Sequence, residues 1–408
     1  MKHKYSQSGF SIIELMIAIF IGLIVLTGLV TVFETTASMN RTQNGLARMQ
    51  ENGRFITLQM KNALDQVGYQ YCLSSIEEES TVAIDALADL YGSHASIIQP
   101  WRVLGGQEIF PGVPSGPLFD PRYFIHGHEC GASSCSPDFT SAGTDTSYLI
   151  PTIGVGDGDR IAGTDVLTLR YIHGRGKAVS NINSIVGGAT TQVLVYDPRD
   201  DSVPPADNTP ILIASCSLEE RHVVTTLVAG DVSSATIDSP ETVNGGPLTR
   251  VFDLTKDIRN ITYYVANNIV NGRDVPTLYS VDNGTVNALI EGVDRFDVLY
   301  TVQTAIKGGY LVLDAQGVDA LPVGSCTKLG DTSPLPNTIG CGWRSVVSIE
   351  FHLLLNTVQN SSSSENEAFF YSIDGDQAQT AADLPSPINH YNLHRREFYS
   401  VVATKNWN

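Results

Sequence analysis

Gly9-Phe10-Ser11-Ile12-Ile13-Glu14-Leu15-Met16-Ile17-Ala18 opens an apolar run that continues to Phe33. Between Phe10 and Phe33 the single formal charge is Glu14, one turn into the run. An acidic side chain at mid-bilayer costs roughly 2.5–3.5 kcal/mol on insertion scales, and less near the interface. Such a group marks a functional position and needs a cationic partner. No Lys or Arg lies within the run. The partner must come from another chain, or from a new amino terminus made by cutting just upstream. The basic stretch Lys2-His3-Lys4 precedes the junction. An ordinary secretory signal would place a small-residue cut site after its apolar core; here the core runs directly into helix-like sequence.

Beyond the run, Met39, Thr42, Leu46, Met49, Gly53, Ile56, Met60, Ala63 and Val67 recur at alternating steps of three and four. This is the mostly apolar stripe of an amphipathic helix. Arg41, Arg48, Glu51, Arg54, Lys61 and Asp65 fall off it. No proline occurs from Phe10 to Val67, so nothing forces a kink. A continuous helix over that span would be about 87 Å long. Its first half suits lipid or a bundle of similar helices, and its second half needs a globular partner along one side. Gly45 and Gly53 weaken it by about 1 kcal/mol each relative to Ala.

The remainder of the 408-residue chain, with 42% hydrophobic residues overall, can bury a sizeable core. Formal net charge is −18, becoming −20 if Lys2 and Lys4 are removed. That acidity disfavours nucleic acid and anionic membrane surfaces as partners, so no nucleic-acid partner is expected, and it favours solubility. Cys72, Cys130, Cys135, Cys216, Cys326 and Cys341 lie outside the apolar run. An even number beside an export signal implies disulfides in an oxidising compartment. The short spacings favour Cys130 with Cys135 and Cys326 with Cys341, which leaves Cys72 with Cys216.

Strand patterning begins after the turn Gly163-Thr164-Asp165. Val166–Ile172, Thr191–Tyr196, Ile211–Cys216, His222–Val228 and Val251–Leu254 are expected strands. Ile258–Ala266, Phe296–Val302, Val346–Leu355 and Glu397–Ala403 follow. Within 346–355, Ile349, Phe351, Leu353 and Leu355 alternate with a mostly polar opposite face, as in antiparallel sheets. Asp157-Gly158, Asn244-Gly245, Asn271-Gly272 and Asn283-Gly284 are turn signals. Residues 73–160 read as loop-rich, with one short helix near Ile84–Leu90, and Ser361–Ser364 as a surface loop. The expected fold class is α+β: a long amino-terminal helix on a large antiparallel β-rich domain.

Signals for catalysis are weak. His126-Gly127-His128-Glu129-Cys130 with Cys135 holds zinc-type ligand chemistry. Cysteine pairing would remove both thiolates, so the expectation is a disulfide-closed surface loop with two solvated histidines and no metal. Gly154-Val155-Gly156-Asp157-Gly158-Asp159 lacks the Lys-Ser/Thr and helix of a phosphate loop, and Asp-Gly turns explain it more simply than calcium. Gly174-Arg175-Gly176-Lys177 reads as a turn with solvated charges, and Glu77-Glu78-Glu79 as an exposed acidic patch. No Gly-x-Ser-x-Gly elbow appears. No enzyme activity and no cofactor are expected.

The junction from Ser8 to Ala18 resembles the class III leader of type IV pilins and type II secretion pseudopilins. In that family a membrane prepilin peptidase cuts after the glycine and methylates the new amino terminus. The resemblance implies cleavage between Gly9 and Phe10, N-methylation of Phe10, and Glu14 as the acid that meets an amino-terminal ammonium during assembly. Further segments resemble the PilW family of minor pilins. They are Arg48–Phe55, Gly68–Cys72, Gly163–Tyr171, Ile261–Val265, Leu289–Asp294 and Arg395–Phe398. Family members usually carry a proline in the membrane half, which is lacking here. The resemblance implies a pilin-like organisation. Residues 1–9 are the leader, 10–34 the transmembrane and assembly half-helix, and 35–68 the amphipathic half. Residues 69–408 form a periplasmic β-rich domain, loop-rich over 73–160 and strand-rich over 161–408. It implies an inner-membrane subunit that joins the type IV pilus at or near its tip, with other minor pilins, the major pilin and a large tip adhesin as partners. A type II secretion pseudopilin and a membrane-anchored binding module outside any filament are the alternatives.

Overall fold

The computed structural model describes residues 9, 11–69, 71, 124–139, 150–184, 191–214, 223–238, 248–303, 309–321, 341–359, 367–384 and 392–404. The helix α1 spans Ile12–Leu64, 53 residues. Ser11 starts it in an extended conformation, and its side chain accepts from the Ile13 amide at 3.3 Å. Hydroxyls in the apolar half satisfy themselves on the preceding turn: Thr27 on Leu23 O, Thr31 on Thr27 O, Thr35 on Thr31 O, at 2.8–2.9 Å. A threonine can therefore enter lipid without an orphaned donor. At the far end Gly68 takes φ +71 and its amide donates to Arg170 O, which turns the chain onto the sheet.

Sixteen strands follow among the described residues. They are β1 (Ile125–Cys130), β2 (Cys135–Ser136), β3 (Val166–Ile172), β4 (Lys177–Ser184), β5 (Thr191–Tyr196), β6 (Pro210–Ala214), β7 (Val223–Gly230) and β8 (Ser234–Asp238). Then come β9 (Thr249–Asp253), β10 (Ile258–Val270), β11 (Arg273–Asp282), β12 (Thr285–Glu291), β13 (Val293–Gln303), β14 (Tyr310–Leu313), β15 (Val346–Asn356) and β16 (Arg395–Ala403). One sheet has the order β12-β11-β10-β3-β1-β2, a second β14-β13-β15-β16, and β4-β5-β8-β7-β6-β9 close into a barrel. The α+β expectation therefore holds, with a barrel that the strand pattern did not announce. β3 and β10 pair directly, Ile172 opposite Ile258, so the barrel is an insertion between neighbouring strands. It fills its interior with its own apolar set, including Leu194, Ile211, Ile213, Leu227 and Ile237.

Asn271-Gly272 and Asn283-Gly284 form the tight turns of the β10–β11 and β11–β12 hairpins, all four residues with positive φ. That is the conformation for which Asn-Gly is selected. β11 escaped the sequence reading because it contains Pro276. Its carbonyl accepts from Gly292 N, so its missing N–H faces the β12 side, just past the last pair, Thr277 with Glu291. The ladder loses nothing there. β1 and β2 lie in the stretch expected to be mostly loop, while Ile84–Leu90, Asn244-Gly245 and Ser361–Ser364 lie outside the described residues. β15 departs from simple alternation: His352 and Leu354, on its expected polar face, are buried. Phe369, Tyr371 and Leu384 from residues 367–384 pack over Leu354.

The main core lies between α1 and the two sheets, where Met49, Ile56, Met60 and Val67 meet residues such as Leu167, Phe296 and Phe351. The helical stripe is buried from Gly45 onward; Met39, expected on it, is exposed. In the docked half of the helix, Gly45 and Gly53 have a packing role. A Cβ on Gly53 would lie 2.5 Å from Cδ1 of Phe398, and one on Gly45 3.1 Å from the Thr357 Cβ. Gly53 is the seat of the Phe398 ring. A Gly53→Leu variant gains about 1 kcal/mol in helix propensity and loses more to the displaced ring, since overpacking typically costs about 1–3 kcal/mol. The expected outcome is a lower urea midpoint for the detergent-solubilised protein, partly restored by Phe398→Ala in the same chain.

Candidate functional site: the amino-terminal junction and its anchoring domain

Gly9 is exposed and has open space where a side chain would project. Phe10 lies outside the described residues. Glu14 is the third residue of α1, and its Oε2 accepts from the Ser11 amide at 3.0 Å. With Ser11 it forms a capping box, which satisfies amide donors that a helix start otherwise leaves bare. The carboxylate is thereby held at the residue next to the expected cleavage product's amino terminus. Every large apolar residue from Ile12 to Phe33 stands exposed, and the segment is long and apolar enough to cross a membrane. Residues 45–67 of the same rod are bound to the β domain. One helix thus joins a bare greasy half to a docked half.

The docked half is fastened where the segments quoted from the sequence meet. Gly53 receives Phe398. Asp294 accepts from Arg395 Nε and Asn356 Nδ2, each at 2.7 Å, within a buried ion pair. Gly292, at φ +82, has Asn356 O 2.8 Å from where a Cβ would sit. Asp165, read only as part of a turn, joins the two sheets. Its amide donates to Phe296 O at 2.7 Å, its Oδ2 accepts from Val298 N at 2.9 Å, and its Oδ1 accepts from Cys130 N at 3.2 Å. The signal for this role was its place immediately before an all-buried strand.

Several local expectations change. Cys130 and Cys135 form a disulfide. Cys341 begins the short helix Cys341–Arg344; Cys72, Cys216 and Cys326 lie outside the described residues. His126 and His128 are not solvated but 3% and 1% exposed, because β1 pairs with β3 under Trp343 and Phe139. Burial holds both imidazoles down, His128 to about 4. Among the described residues no three His, Cys, Asp or Glu side chains converge as metal ligands do. In the Gly154–Asp159 loop, Asp159 accepts from Gly156 N at 2.7 Å and Asp157 from Ile269 N at 2.8 Å, so these carboxylates serve the chain's own amides. Lys177, expected in solvent, is 5% exposed and donates to Ser202 O at 2.7 Å and to Asp200 O. The Glu77-Glu78-Glu79 patch lies outside the described residues.

Glu129, Asp165 and Asp297 repel one another across the sheet junction, with Arg295 as the nearby cation on Asp297 and Asp374. Burial, then Asp314 and Asp297, push Glu129 up to about 7. A raised carboxyl contributes its stability below its unfolded value, near 4.5, and loses it as pH rises through 7. Glu129→Gln cannot ionise. Its urea midpoint relative to the wild type is therefore expected to rise between pH 5 and pH 8, and an unchanged difference would contradict the buried-acid account.

The class defined here is a subunit with a bare apolar rod, an acid at the rod's start and a β domain fastened along the other half. Residues 4–30 match the prokaryotic N-terminal methylation motif, and residues 262–406, from within β10 to just past β16, match Type IV Pilus-assembly protein W. These two matched regions, with the bare apolar rod, support a pilin related to the type IV pilus. The PilW family is a structural component of the pilus. The inserted barrel lies outside both matched regions. A comparison with curated proteins found no match.

Proposed function

We propose that the protein is a minor pilin that is held in the inner membrane with its β domain in the periplasm. It then enters the pilus at or near the tip, where it helps prime assembly and presents an adhesin. The observation that carries this reading is the bare span Ile12–Phe33 with Glu14 at its head. In lipid the apolar surface is satisfied; in a bundle of similar helices it meets an equally apolar environment, so transfer between them loses little. Glu14 distinguishes the two states. Cleavage after Gly9 would place the Phe10 ammonium one residue from the amide that Glu14 already accepts, on this subunit or opposite a neighbour. The charge pair then sets the helix register. The PilW match supports a pilus over a secretion pseudopilus or a free-standing binding module.

The processing step is tested by Gly9→Trp. Mass analysis of the membrane fraction should find the wild-type amino terminus at methylated Phe10, and the variant uncut. A variant chain still beginning at Phe10 would remove the cleavage assignment. Recovery of the wild-type protein with other minor pilins in sheared pili, against its retention in membranes alone, separates the filament reading from an anchored module.

A further inference from the structure

We propose that Cys130–Cys135 is an exchange-active disulfide that opens to dithiols in the folded protein, with Cys135 as the sulfur that carries the negative charge. The inference starts from Arg160. Its side chain is 2% exposed, and Nη2 lies 3.2 Å from Cys135 Sγ. Nη1 reaches Thr164 O at 3.4 Å, Nε has no partner, and the guanidinium faces the Phe139 ring at 5.4 Å. Among the described residues no carboxylate forms an ion pair with it. Its nearest influence is Asp165, whose oxygens are taken by the Cys130 and Val298 amides. The other titratable groups in and behind the hairpin are Glu129, Asp138, Arg170 and the buried imidazoles His126 and His128.

A buried cation without an anion is costly, and burial holds Arg160 down to about 10. The atom it touches is a disulfide sulfur, a weak acceptor. Opening the bridge turns that atom into a full anion at hydrogen-bond distance, which is the setting that lowers a thiol's pKa. Access favours the same sulfur: Cys135 is half-buried and Cys130 is 4% exposed.

The exchange balances as follows. A thiolate of the dithiol attacks Cys135 Sγ, forming a mixed disulfide and breaking the Cys130–Cys135 bond. The electron pair leaves on Cys130 Sγ, which takes a proton from water. The reagent's second thiolate attacks its own first sulfur, closes the reagent's disulfide and expels Cys135 as a thiolate opposite Arg160. Two electrons pass from dithiol to cystine; one reagent proton is balanced on Cys130 and the other goes to solvent.

The test treats the full chain in detergent with dithiothreitol at pH 7, then alkylates across a pH series and resolves Cys130 and Cys135 by peptide mass analysis. Circular dichroism checks that the fold persists. The bridge should open, and the Cys135 alkylation midpoint should fall at least about one unit below the ordinary thiol value of about 8.5. Arg160→Met should move it back up by about one unit, and Arg160→Lys should hold it low. A bridge that stays closed in excess reagent, or a wild-type Cys135 midpoint near 8.5, overturns the proposal even if the Met variant fails to fold.

Discussion

Alanine in place of Glu14 should leave the protein in the membrane and cleaved after Gly9, yet reduce its recovery in sheared pili by tenfold or more. Before assembly an unpaired carboxylate in the apolar span is a burden of roughly 2.5–3.5 kcal/mol at mid-bilayer, less near the interface. In the assembled bundle a neighbour's ammonium adds relief that a lone subunit in lipid lacks. Alanine removes both the burden and the relief, so membrane residence loses nothing while the filament loses its preference. A difference of about 1.4 kcal/mol is already tenfold in partitioning. Glu14 also accepts from the Ser11 amide at 3.0 Å, so Glu14→Gln separates the two roles. Glutamine can keep the cap but not the charge, and should fail like alanine if the ion pair governs entry. Immunoblots of sheared pili and membranes measure both variants; pilus recovery equal to wild type in either would refute the charge-register argument.

The second large effect is expected at Asp165. Alanine there leaves the buried amides of Cys130 and Val298 without their acceptor, and each unsatisfied group costs about 1–3 kcal/mol. The sum, roughly 2–6 kcal/mol, is a large share of a typical domain's stability. The two sheets should separate locally at β1 and β13. Urea unfolding of the solubilised protein should show a strongly lowered midpoint, and limited proteolysis should cut near the hairpin before the barrel. Asp165→Asn keeps one acceptor oxygen and should lie between the two. An alanine variant within about 0.5 kcal/mol of wild type, the usual range for surface changes, would contradict the stapling role.

Much of the fold was legible because its strongest signals are local. The long proline-free apolar run and the steps of three and four specify α1 whatever surrounds it. The Asn-Gly pairs specify tight hairpins because few residues tolerate positive φ at both positions. The missed strands fail for an equally physical reason. β12 and β14 are mostly exposed edges, so they lack an apolar face to read. β11 hides behind Pro276. In β15 the alternation breaks because a distant segment, 367–384, covers the face that would otherwise meet water. The histidines of β1 were misread for a related reason: polar residue types suggest solvent, yet Trp343, remote in sequence, and Phe139, just past the hairpin, close over them.

By itself the sequence determined the long apolar half-helix, its lone acid, the methylation motif over residues 4–30 and an antiparallel domain, since each depends on hydropathy, charge and turn chemistry within a few residues. Only the tertiary structure decided that Gly53 is a socket for Phe398, that Asp165 binds two sheets, that β4 to β9 close into a barrel, and that Arg160 faces a disulfide. These depend on which distant residues come to share one small volume, and no local pattern encodes that.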